Sequence, residues 1–211
     1  MGSIRSPGNV TQCRARVHVA WKAMTKACGN VYLIGPMGSG KTTIGRRLAL
    51  ILGLEFMDCD HELEEHTGAS VGLIFDVEGE EGFRRRETEM LRKLTARNRV
   101  LVATGGGTVL GEENRKLLRE TGLVIYLKTT VKQQIRRLVR DKTRPLLQSG
   151  DREEKLTRLA EERNHLYEEL ADIVFPSQNR GLEAVARSLS ETVCAHRNSA
   201  AEDPAASTPK G

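Results

Sequence analysis

One short segment limits what this chain can fold into more than any other: a glycine-rich loop between an apolar strand and a helix. Residues 35–42 have the sequence GPMGSGKT, which matches the phosphate-binding pattern G-x-x-x-x-G-K-[ST]. The apolar run 31–34 (VYLI) predicts a buried strand before the loop, and apolar residues at helical spacing in 44–51 predict a helix after it. Glycines let successive backbone N–H groups turn towards phosphate oxygens, and the helix N-terminus adds the positive end of its dipole. The segment therefore predicts a nucleotide phosphate site, with Lys41 on the β- and γ-phosphates and the Thr42 hydroxyl on Mg²⁺.

The middle of the chain alternates short apolar runs with amphipathic stretches. We predict about five strands, near 31–34, 54–57, 99–103, 123–127 and 173–175. We predict helices at 44–51, 70–97, 111–120, 131–140, 153–171 and 181–195. This alternation is typical of an α/β fold in which helices cover both faces of a parallel sheet, a three-layer α/β/α arrangement. Ligands of such folds bind at the carboxyl ends of the strands, where the polar clusters of this sequence fall.

Length and composition exclude several classes of protein. With 211 residues the chain has room for one well-buried core. The net charge is +5, but basic residues are mixed with acidic ones and aromatic residues make up only 4%, so we expect no nucleic-acid partner. The four cysteines show no CxxC spacing, which favours a reduced, intracellular protein. No apolar run approaches the roughly 18–20 residues of a membrane span, so we expect no membrane association.

The two ends of the chain differ in composition from its middle. Residues 1–29 contain basic side chains and no acidic one, and we expect them to form a poorly ordered basic extension. Residues 197–211 are small, polar and proline-containing, and we expect a disordered tail. The folded domain is then 30–196. We expect a cytoplasmic protein; a plastid location is the alternative, if the basic N-terminus is a transit peptide.

Two acidic residues follow the second predicted strand. If that strand persists, Asp58 and Asp60 point the same way and both face the phosphate loop. One can then hold the metal shell while the other orients an acceptor hydroxyl; helix capping by Asp60 is a structural alternative that is compatible with this role. Neither 99–103 nor 123–127 ends in the strand-terminal acid of motor and switch NTPases, and no guanine-recognition motif is present. We therefore expect neither a motor nor a GTP-dependent switch.

Five separate motifs occur in an order and spacing that resemble the shikimate kinase family. They are GPMGSGKTTIGRRLA, FMDCDHELEEHTGASVGLIFDVEGEEGFRRRE, ATGGGTV, TRPLL and ERNHLYEE, and the similarity extends from about residue 31 to 195. The resemblance implies a P-loop kinase fold with a mobile lid at about 140–152. It implies transfer of the γ-phosphoryl group of ATP, with Mg²⁺, to the 3-hydroxyl of shikimate. We expect small-molecule substrates only, and a monomer.

The resemblance also assigns residues to the donor side of the reaction. It implies that Lys41, Asp60 and Arg144 are catalytic, with Arg144 reaching the ATP phosphates when the lid closes. The ATP-binding residues that it implies are Gly38, Ser39, Gly40, Lys41, Thr42, Thr43, Arg137, Arg144 and Arg180. Of these, Arg137 and Arg180 are expected at the adenine. Mg²⁺ is expected on Thr42 and, through water, on Asp58.

On the acceptor side the resemblance implies contacts from a second set of residues. They are Asp60, Arg84, Gly105, Gly106, Gly107 and Arg163. Asp60 is expected to contact the shikimate hydroxyls and act as the base, and the middle glycine to make a backbone contact. Arg84 and Arg163 are expected to bind the carboxylate, since a planar guanidinium matches that group in bidentate fashion. Glu87, one helical turn further on, is expected to orient Arg84. His165 stands where the family usually has proline, so the helix turn after Arg163 is expected to differ.

Three alternatives stay open at this point. Another small-molecule kinase, of the gluconate or nucleotide type, would share the phosphate loop. A relative that had lost catalysis would act as a binding or regulatory protein, although the intact set of charged residues weighs against it. Nucleic-acid binding through the basic N-terminal extension would give an affinity that depends steeply on salt.

Overall fold

The computed structural model describes residues 29–138, 152–176 and 181–202, which form one parallel sheet with helices on both faces. The strands are β1 Asn30–Ile34, β2 Glu55–Asp58, β3 Val100–Ala103, β4 Gly122–Lys128 and β5 Ile173–Pro176. Their order in the sheet is β2-β3-β1-β4-β5, and each neighbouring pair is parallel. The helices are α1 Lys41–Leu52, α2 Cys59–Thr67, α3 Val71–Thr95, α4 Glu112–Thr121, α5 Val131–Leu138, α6 Arg152–Leu170 and α7 Leu182–Glu202, with a short 3₁₀ helix at Thr108–Leu110. The predicted three-layer α/β/α fold is confirmed.

The alternation of side chains along the central strand β1 divides the core in two. Val31 and Leu33 pack on one face of the sheet with apolar residues of α1 and α7. Tyr32 and Ile34 pack on the other face with residues of α2, α3, α4 and α6. All four side chains are fully buried, and each such burial contributes about 1.5–3 kcal/mol. A strand that is covered on both faces is apolar along nearly all of its length, which explains the VYLI run after Asn30.

The position of β1 between β3 and β4 determines where a ligand can bind. The chain proceeds from β1 outwards to β2 on one side and later to β4 and β5 on the other, so the strand order reverses beside β1. Open α/β sheets bind ligands in the crevice at the carboxyl edge next to such a reversal. The loops that follow β1, β2 and β3 all meet at this edge, and they carry most of the residues singled out from the sequence.

The helical structure between β2 and β3 is more extensive than predicted. In addition to the predicted helix at 70–97, the helix α2 begins directly after β2 and ends at Gly68, which has a φ of 68°. The Ser70 side chain then accepts a hydrogen bond from a backbone N–H of the first turn of α3. Inside α3, Gly79 has non-helical angles (φ 68°, ψ −176°), so the helix is broken there. Glycine adopts a positive φ without a steric cost, so Gly68 ends α2 and Gly79 interrupts α3.

The last helix is longer than predicted. It continues to Glu202, past both the predicted helix end at 195 and the predicted domain boundary at 196. Residues 200–202 have the sequence Ala-Ala-Glu, and both residue types are strong helix formers.

Several predicted features lie outside the described residues, which omit 1–28, 139–151, 177–180 and 203–211. These are nearly all of the basic N-terminal extension, most of the lid with Arg144, the residue Arg180, and the end of the tail. Within the ranges that are described, no helix combines the length and the apolar character that a membrane span requires.

Candidate active site

The phosphate-binding loop connects β1 to α1 at the middle of the carboxyl edge of the sheet. Three of its glycines have positive φ angles: 139° at Gly35, 74° at Gly38 and 96° at Gly40. Gly35 is also limited by space, because an ideal Cβ there would lie 2.9 Å from the carbonyl oxygen of Leu127 on β4. The helix α1 begins at Lys41, directly after the loop. Its first N–H groups have no partner within the helix and are therefore available to an anion at the loop.

The backbone of this loop orients two cationic side chains. Lys41 Nζ donates hydrogen bonds to the carbonyl oxygens of Gly35 (2.7 Å) and Pro36 (3.0 Å). Arg137, in the last turn of α5, donates from Nη1 to the carbonyl oxygen of Gly38 (3.0 Å). The guanidinium expected at the adenine thus lies against the phosphate loop. Both cations therefore lie against the backbone of the loop.

The two acids that follow β2 lie at a strand-to-helix junction and not on one continuous strand. The strand ends at Asp58 and α2 begins at the next residue, so the strand does not persist to residue 60 and strand geometry does not align the two acids. The helix cap is Asp58, whose carboxylate accepts a hydrogen bond from the backbone N–H of Asp60 (3.2 Å). Its other oxygen accepts the hydroxyl hydrogen bond of Thr42 (2.7 Å). Asp58 therefore joins the start of α2 to the start of α1.

Both acids nevertheless face one cavity beside the phosphate loop. Its volume is about 190 Å³. It is lined by Gly38, Gly40, Lys41, Thr42, Thr43, Asp58, Asp60, Thr104, Gly106 and Leu138. We call this space the donor cavity. It brings a cation, a hydroxyl and two carboxylates together at the carboxyl edge of the sheet.

Arg84 extends from the second half of α3 into the crevice and is held by two carboxylates. Nη1 donates to Glu87 Oε2 (2.8 Å) and Nη2 to Glu80 Oε1 (3.1 Å). The guanidinium also lies 5.2 Å from the ring centre of Phe83. Burial opposes the positive charge, but the charges and hydrogen bonds of Glu87 and Glu80 outweigh it and raise the pKa of Arg84 above its ordinary value. Arg84 is therefore a fixed cation.

The neighbouring arginines face the solvent instead. Arg85 is 69% exposed at its side chain and pairs with Glu81 (3.1 Å). Arg86 is 42% exposed and pairs with Glu78 (2.6 Å). Of the three consecutive arginines, the helix thus directs only Arg84 into the crevice.

The three glycines after β3 serve close packing, and none of them has a positive φ. An ideal Cβ at Gly107 would lie 2.4 Å from Nη2 and 2.6 Å from Nη1 of Arg84. One at Gly105 would lie 2.7 Å from Glu87 Oε1. At Gly106 the nearest atom would be the backbone nitrogen of Met37, at 3.4 Å. The outer two glycines therefore make room for the protein's own charged side chains, and the middle one faces the phosphate loop.

Arg163 lies on α6 and is almost completely buried. Its Nη1 lies 3.5 Å from the carbonyl oxygen of Gly106, which also accepts the hydroxyl hydrogen bond of Tyr167. Its Nε is buried and has no hydrogen-bond partner among the described residues; the closest carboxylate oxygen, on Glu162, is 3.5 Å away. Burial raises the pKa of Tyr167, so the phenol stays a donor at neutral pH. The helix α6 continues through His165 without a break.

A second cavity separates α3 from α6. Its volume is about 430 Å³. It is lined by Phe75, Glu80, Arg84, Arg158, Leu159, Glu162 and Arg163. We call it the acceptor cavity. Gly106 lines the donor cavity, and its carbonyl oxygen contacts Arg163 of the acceptor cavity, so this glycine forms a junction between the two sets of lining residues.

Sequence reasoning did not single out Arg158, Tyr167 or Thr108. Tyr167 lies four residues after Arg163 on α6, and this spacing places both side chains on one helix face. The spacing from Arg163 could therefore have indicated Tyr167 as a residue of the site. Arg158 is an exposed residue of a charged helix, and nothing local distinguishes it from the solvent-facing charges. Thr108 contacts residues 21 positions away, which no local pattern reveals.

A parallel sheet with a phosphate loop at its strand-order reversal, and a carboxylate-lined cavity beside it, defines a P-loop phosphotransferase. The family model for shikimate kinase matches residues 37–194. The chain therefore belongs to the shikimate kinase family.

Individual relatives agree with this assignment. The shikimate kinase of Shewanella denitrificans is 50% identical over 162 residues, which cover 77% of this chain and 95% of the relative. That of Actinobacillus pleuropneumoniae serotype 5b is 51% identical over 164 residues, 78% of this chain and 95% of the relative. Both relatives are bacterial, which gives the plastid alternative no support.

Solved structures agree as well. The shikimate kinase of Acinetobacter baumannii in complex with shikimate superposes with a TM-score of 0.77 at 46% identity, covering 85% of this chain and 97% of the other. The shikimate kinase of Aquifex aeolicus gives a TM-score of 0.68 at 32% identity, covering 81% and 98%.

Proposed function

We propose that this chain transfers the γ-phosphoryl group of ATP to the 3-hydroxyl of shikimate, which gives shikimate 3-phosphate and ADP. The reaction is a step of chorismate and aromatic amino acid biosynthesis. The observation that carries the proposal is the junction of the two cavities at Gly106. Gly106 lines a phosphate site with an adjacent carboxylate, Asp60, and contacts Arg163. Arg163 and Arg84 bring two buried or half-buried guanidinium groups to the second pocket.

On the donor side, the loop N–H groups and Lys41 are proposed to hold the β- and γ-phosphates. Phosphoryl transfer needs little covalent chemistry from the protein, so catalysis rests on positioning and on neutralising the charge of the transferring group. In this role Lys41 leaves the carbonyl oxygens of Gly35 and Pro36 for the phosphate oxygens. Arg144 is proposed to add a second positive charge from the lid, and Arg180 to contact the adenine; both lie outside the described residues.

On the acceptor side, Asp60 is proposed to accept the proton of the attacking hydroxyl. As this proton leaves, the hydroxyl oxygen bonds to the γ-phosphorus and the bond between the γ-phosphorus and ADP breaks. Arg84 and Arg163 are proposed to bind the carboxylate at the far end of the substrate. The buried Nε of Arg163 supports this, because an unmade hydrogen bond of a buried donor costs about 1–3 kcal/mol and a ligand oxygen would supply the partner. The middle glycine, Gly106, is proposed to contact the substrate through its backbone.

The residues around the donor cavity fit Mg²⁺. No group of three or more histidine, cysteine or acidic side chains that could enclose a metal occurs in the ranges described. Mg²⁺ does not need one, because it keeps several waters and binds through one or two protein oxygens together with substrate phosphates. Thr42 Oγ1 and Asp58 Oδ2, which lie 2.7 Å apart, are oxygens of the kind that it prefers. We propose that Thr42 ligates the ion directly and Asp58 through water; the ion would neutralise phosphate charge.

An acceptor panel tests the proposed function. ADP release is measured with ATP and Mg²⁺ and, in separate reactions, shikimate, gluconate or nucleoside monophosphates. We expect shikimate alone to support turnover at about 1–100 s⁻¹. Turnover with gluconate or a nucleotide instead would assign the chain to another kind of small-molecule kinase, and ATP binding without any turnover would indicate a relative that has lost catalysis.

Size-exclusion chromatography of the pure protein tests the predicted monomer.

The packing of Gly107 leads to a separate prediction. A methyl group at this position would enter the space of the Arg84 guanidinium, which is the flexible end of its side chain and can move. We expect Gly107→Ala to raise the KM for shikimate about tenfold, a loss of about 1.4 kcal/mol in binding, and to leave the KM for ATP nearly unchanged. Gly29→Ala is the matched control, because a Cβ there meets no atom within 4 Å. Equal kinetics for the two variants would contradict the packing argument.

A further inference from the structure

We propose that Thr108 is a positioning residue for the acceptor: its hydroxyl holds Glu87, and Glu87 in turn holds Arg84. This inference rests on the proposed function, in which Arg84 binds the carboxylate of shikimate. It assigns a role in substrate recognition to a residue that is not in the set of contacts expected at the substrate.

The contacts form a continuous chain from the sheet to the acceptor cavity. Thr108 begins the 3₁₀ helix directly after the triple glycine, and it is fully buried. Its Oγ1 donates a hydrogen bond of 2.6 Å to Glu87 Oε1. The other oxygen of that carboxylate, Oε2, accepts the hydrogen bond of Arg84 Nη1 at 2.8 Å. Glu87 thus uses one oxygen to hold the arginine while the other is held by the threonine.

The hydroxyl of Thr108 is important because the Glu87 carboxylate is buried. The Glu87 side chain is only 1% exposed, so solvent cannot replace a missing donor. A hydrogen bond to an ionised acceptor is about twice as strong as one between neutral groups, and a buried carboxylate oxygen without a donor is unfavourable. Gly105 leaves room beside Oε1, because an ideal Cβ there would lie 2.7 Å from that oxygen. Without the hydroxyl, Oε1 loses the donor that holds it, so the carboxylate can rotate into this room and Arg84 can move with it.

The same glycine places the proposed base close to this chain of contacts. The ideal Cβ of Gly105 would also lie 3.1 Å from Asp60 Oδ1 and 3.2 Å from Thr108 Oγ1. The carboxylates of Glu87 and Asp60 are therefore on one side of Gly105, with the hydroxyl of Thr108 beside them. A fixed position for Glu87 keeps its negative charge directed at Arg84 rather than free to approach Asp60. Thr108 consequently supports both ends of the acceptor site, mainly the end that binds the carboxylate.

The test compares Thr108→Val, which keeps the shape and removes the donor, with Thr108→Ser, which keeps the hydroxyl. We expect Thr108→Val to raise the KM for shikimate about 5- to 30-fold, with a smaller change in kcat and a KM for ATP within about twofold of wild type. Thr108→Ser is expected to restore the KM to within about threefold. Thr95→Val is the matched control, because the hydroxyl of this buried threonine donates to the carbonyl oxygen of Arg92 on the same helix.

A double variant separates positioning from a merely structural role. If Thr108 acts through Arg84, adding Thr108→Val to Arg84→Ala changes the KM for shikimate by less than about twofold. Independent, multiplying effects would overturn the inference, and so would a Thr108→Val enzyme that melts at a lower temperature but keeps the wild-type KM. If the valine variant does not fold, Thr108→Ala replaces it in the same comparison.

Equilibrium binding of shikimate, measured by calorimetry, distinguishes failure of this inference from failure of the proposed function. Wild-type protein that binds shikimate without phosphorylating it would refute the function, while a Kd weakened by Thr108→Val and restored by Thr108→Ser would still support the role of Thr108. A Kd that is the same in all three proteins, or no binding in any of them, would refute that role.

Discussion

Alanine in place of Arg84 is expected to lower kcat/KM for shikimate roughly 100-fold or more, while the KM for ATP stays within about threefold of wild type. The Arg84 side chain is 24% exposed, is held by Glu87 and Glu80, and lines the acceptor cavity. Its loss removes the proposed bidentate contact with the substrate carboxylate and leaves Glu87 buried without its cation. Steady-state kinetics with each substrate varied in turn measures the effect.

The neighbouring residue Arg85 provides the control for this experiment. Arg85→Ala removes the same side chain one residue later, where it is 69% exposed and pairs only with Glu81 at the surface. Because exposed ion pairs contribute little, we expect kinetics within about twofold of wild type. Melting temperatures of both variants show whether the buried Glu87 carboxylate destabilises the Arg84 variant. The two alanine variants behaving alike towards shikimate would falsify the assignment of Arg84.

The second large effect is expected from Lys41→Met, which should reduce turnover about 100- to 1000-fold. Methionine preserves most of the length and the apolar stem of lysine but carries no charge. In the structure Nζ is directed by the carbonyl oxygens of Gly35 and Pro36, 2.7 and 3.0 Å away. These contacts keep the charge beside the loop until the triphosphate binds. Nζ is then proposed to exchange the carbonyl oxygens for phosphate oxygens, and a cation held at the transferring group stabilises the charge of the transition state.

Single-turnover measurements at saturating ATP separate the loss of chemistry in this variant from weaker nucleotide binding. Lys93→Met serves as the control, since this lysine pairs with Glu89 on the surface of α3, with 46% of its side chain exposed. A Lys41→Met enzyme that kept turnover within about threefold of wild type would exclude Lys41 from the transition state.

Much of the fold followed from local patterns. The five strands lie within one residue of their predicted positions. The central strands β1, β3 and β4 are buried over most of their length, and a strand buried on both faces is a nearly continuous apolar run. The helix α2 was the exception. Its nine residues are mostly charged, and only Cys59 and Leu63 are buried, so there is little apolar periodicity to detect. Asp58 caps the start of this helix, whereas the sequence had suggested Asp60 as the cap.

The candidate site was predicted less completely than the fold. The glycines and the lysine of the phosphate loop are neighbours in the sequence, so the local pattern is sufficient to predict the phosphate site. The acceptor residues came from resemblance to a family, because the residues around the acceptor cavity are separated by up to 88 positions, from Phe75 to Arg163. Arg158 and Thr108 were missed for the same reason.

The α/β class, the phosphate loop and the acids and arginines suited to phosphoryl transfer could all be predicted from the sequence, since each depends on residues adjacent in the chain. Which side chains meet depends on the folded molecule. It directs Arg84 inwards and leaves Arg85 and Arg86 in solvent, and it places the hydroxyl of Thr108 against Glu87 and that of Tyr167 against Gly106. These contacts depend on how α3 and α6 pack across the loop after β3, and packing is a property of the whole fold rather than of any segment.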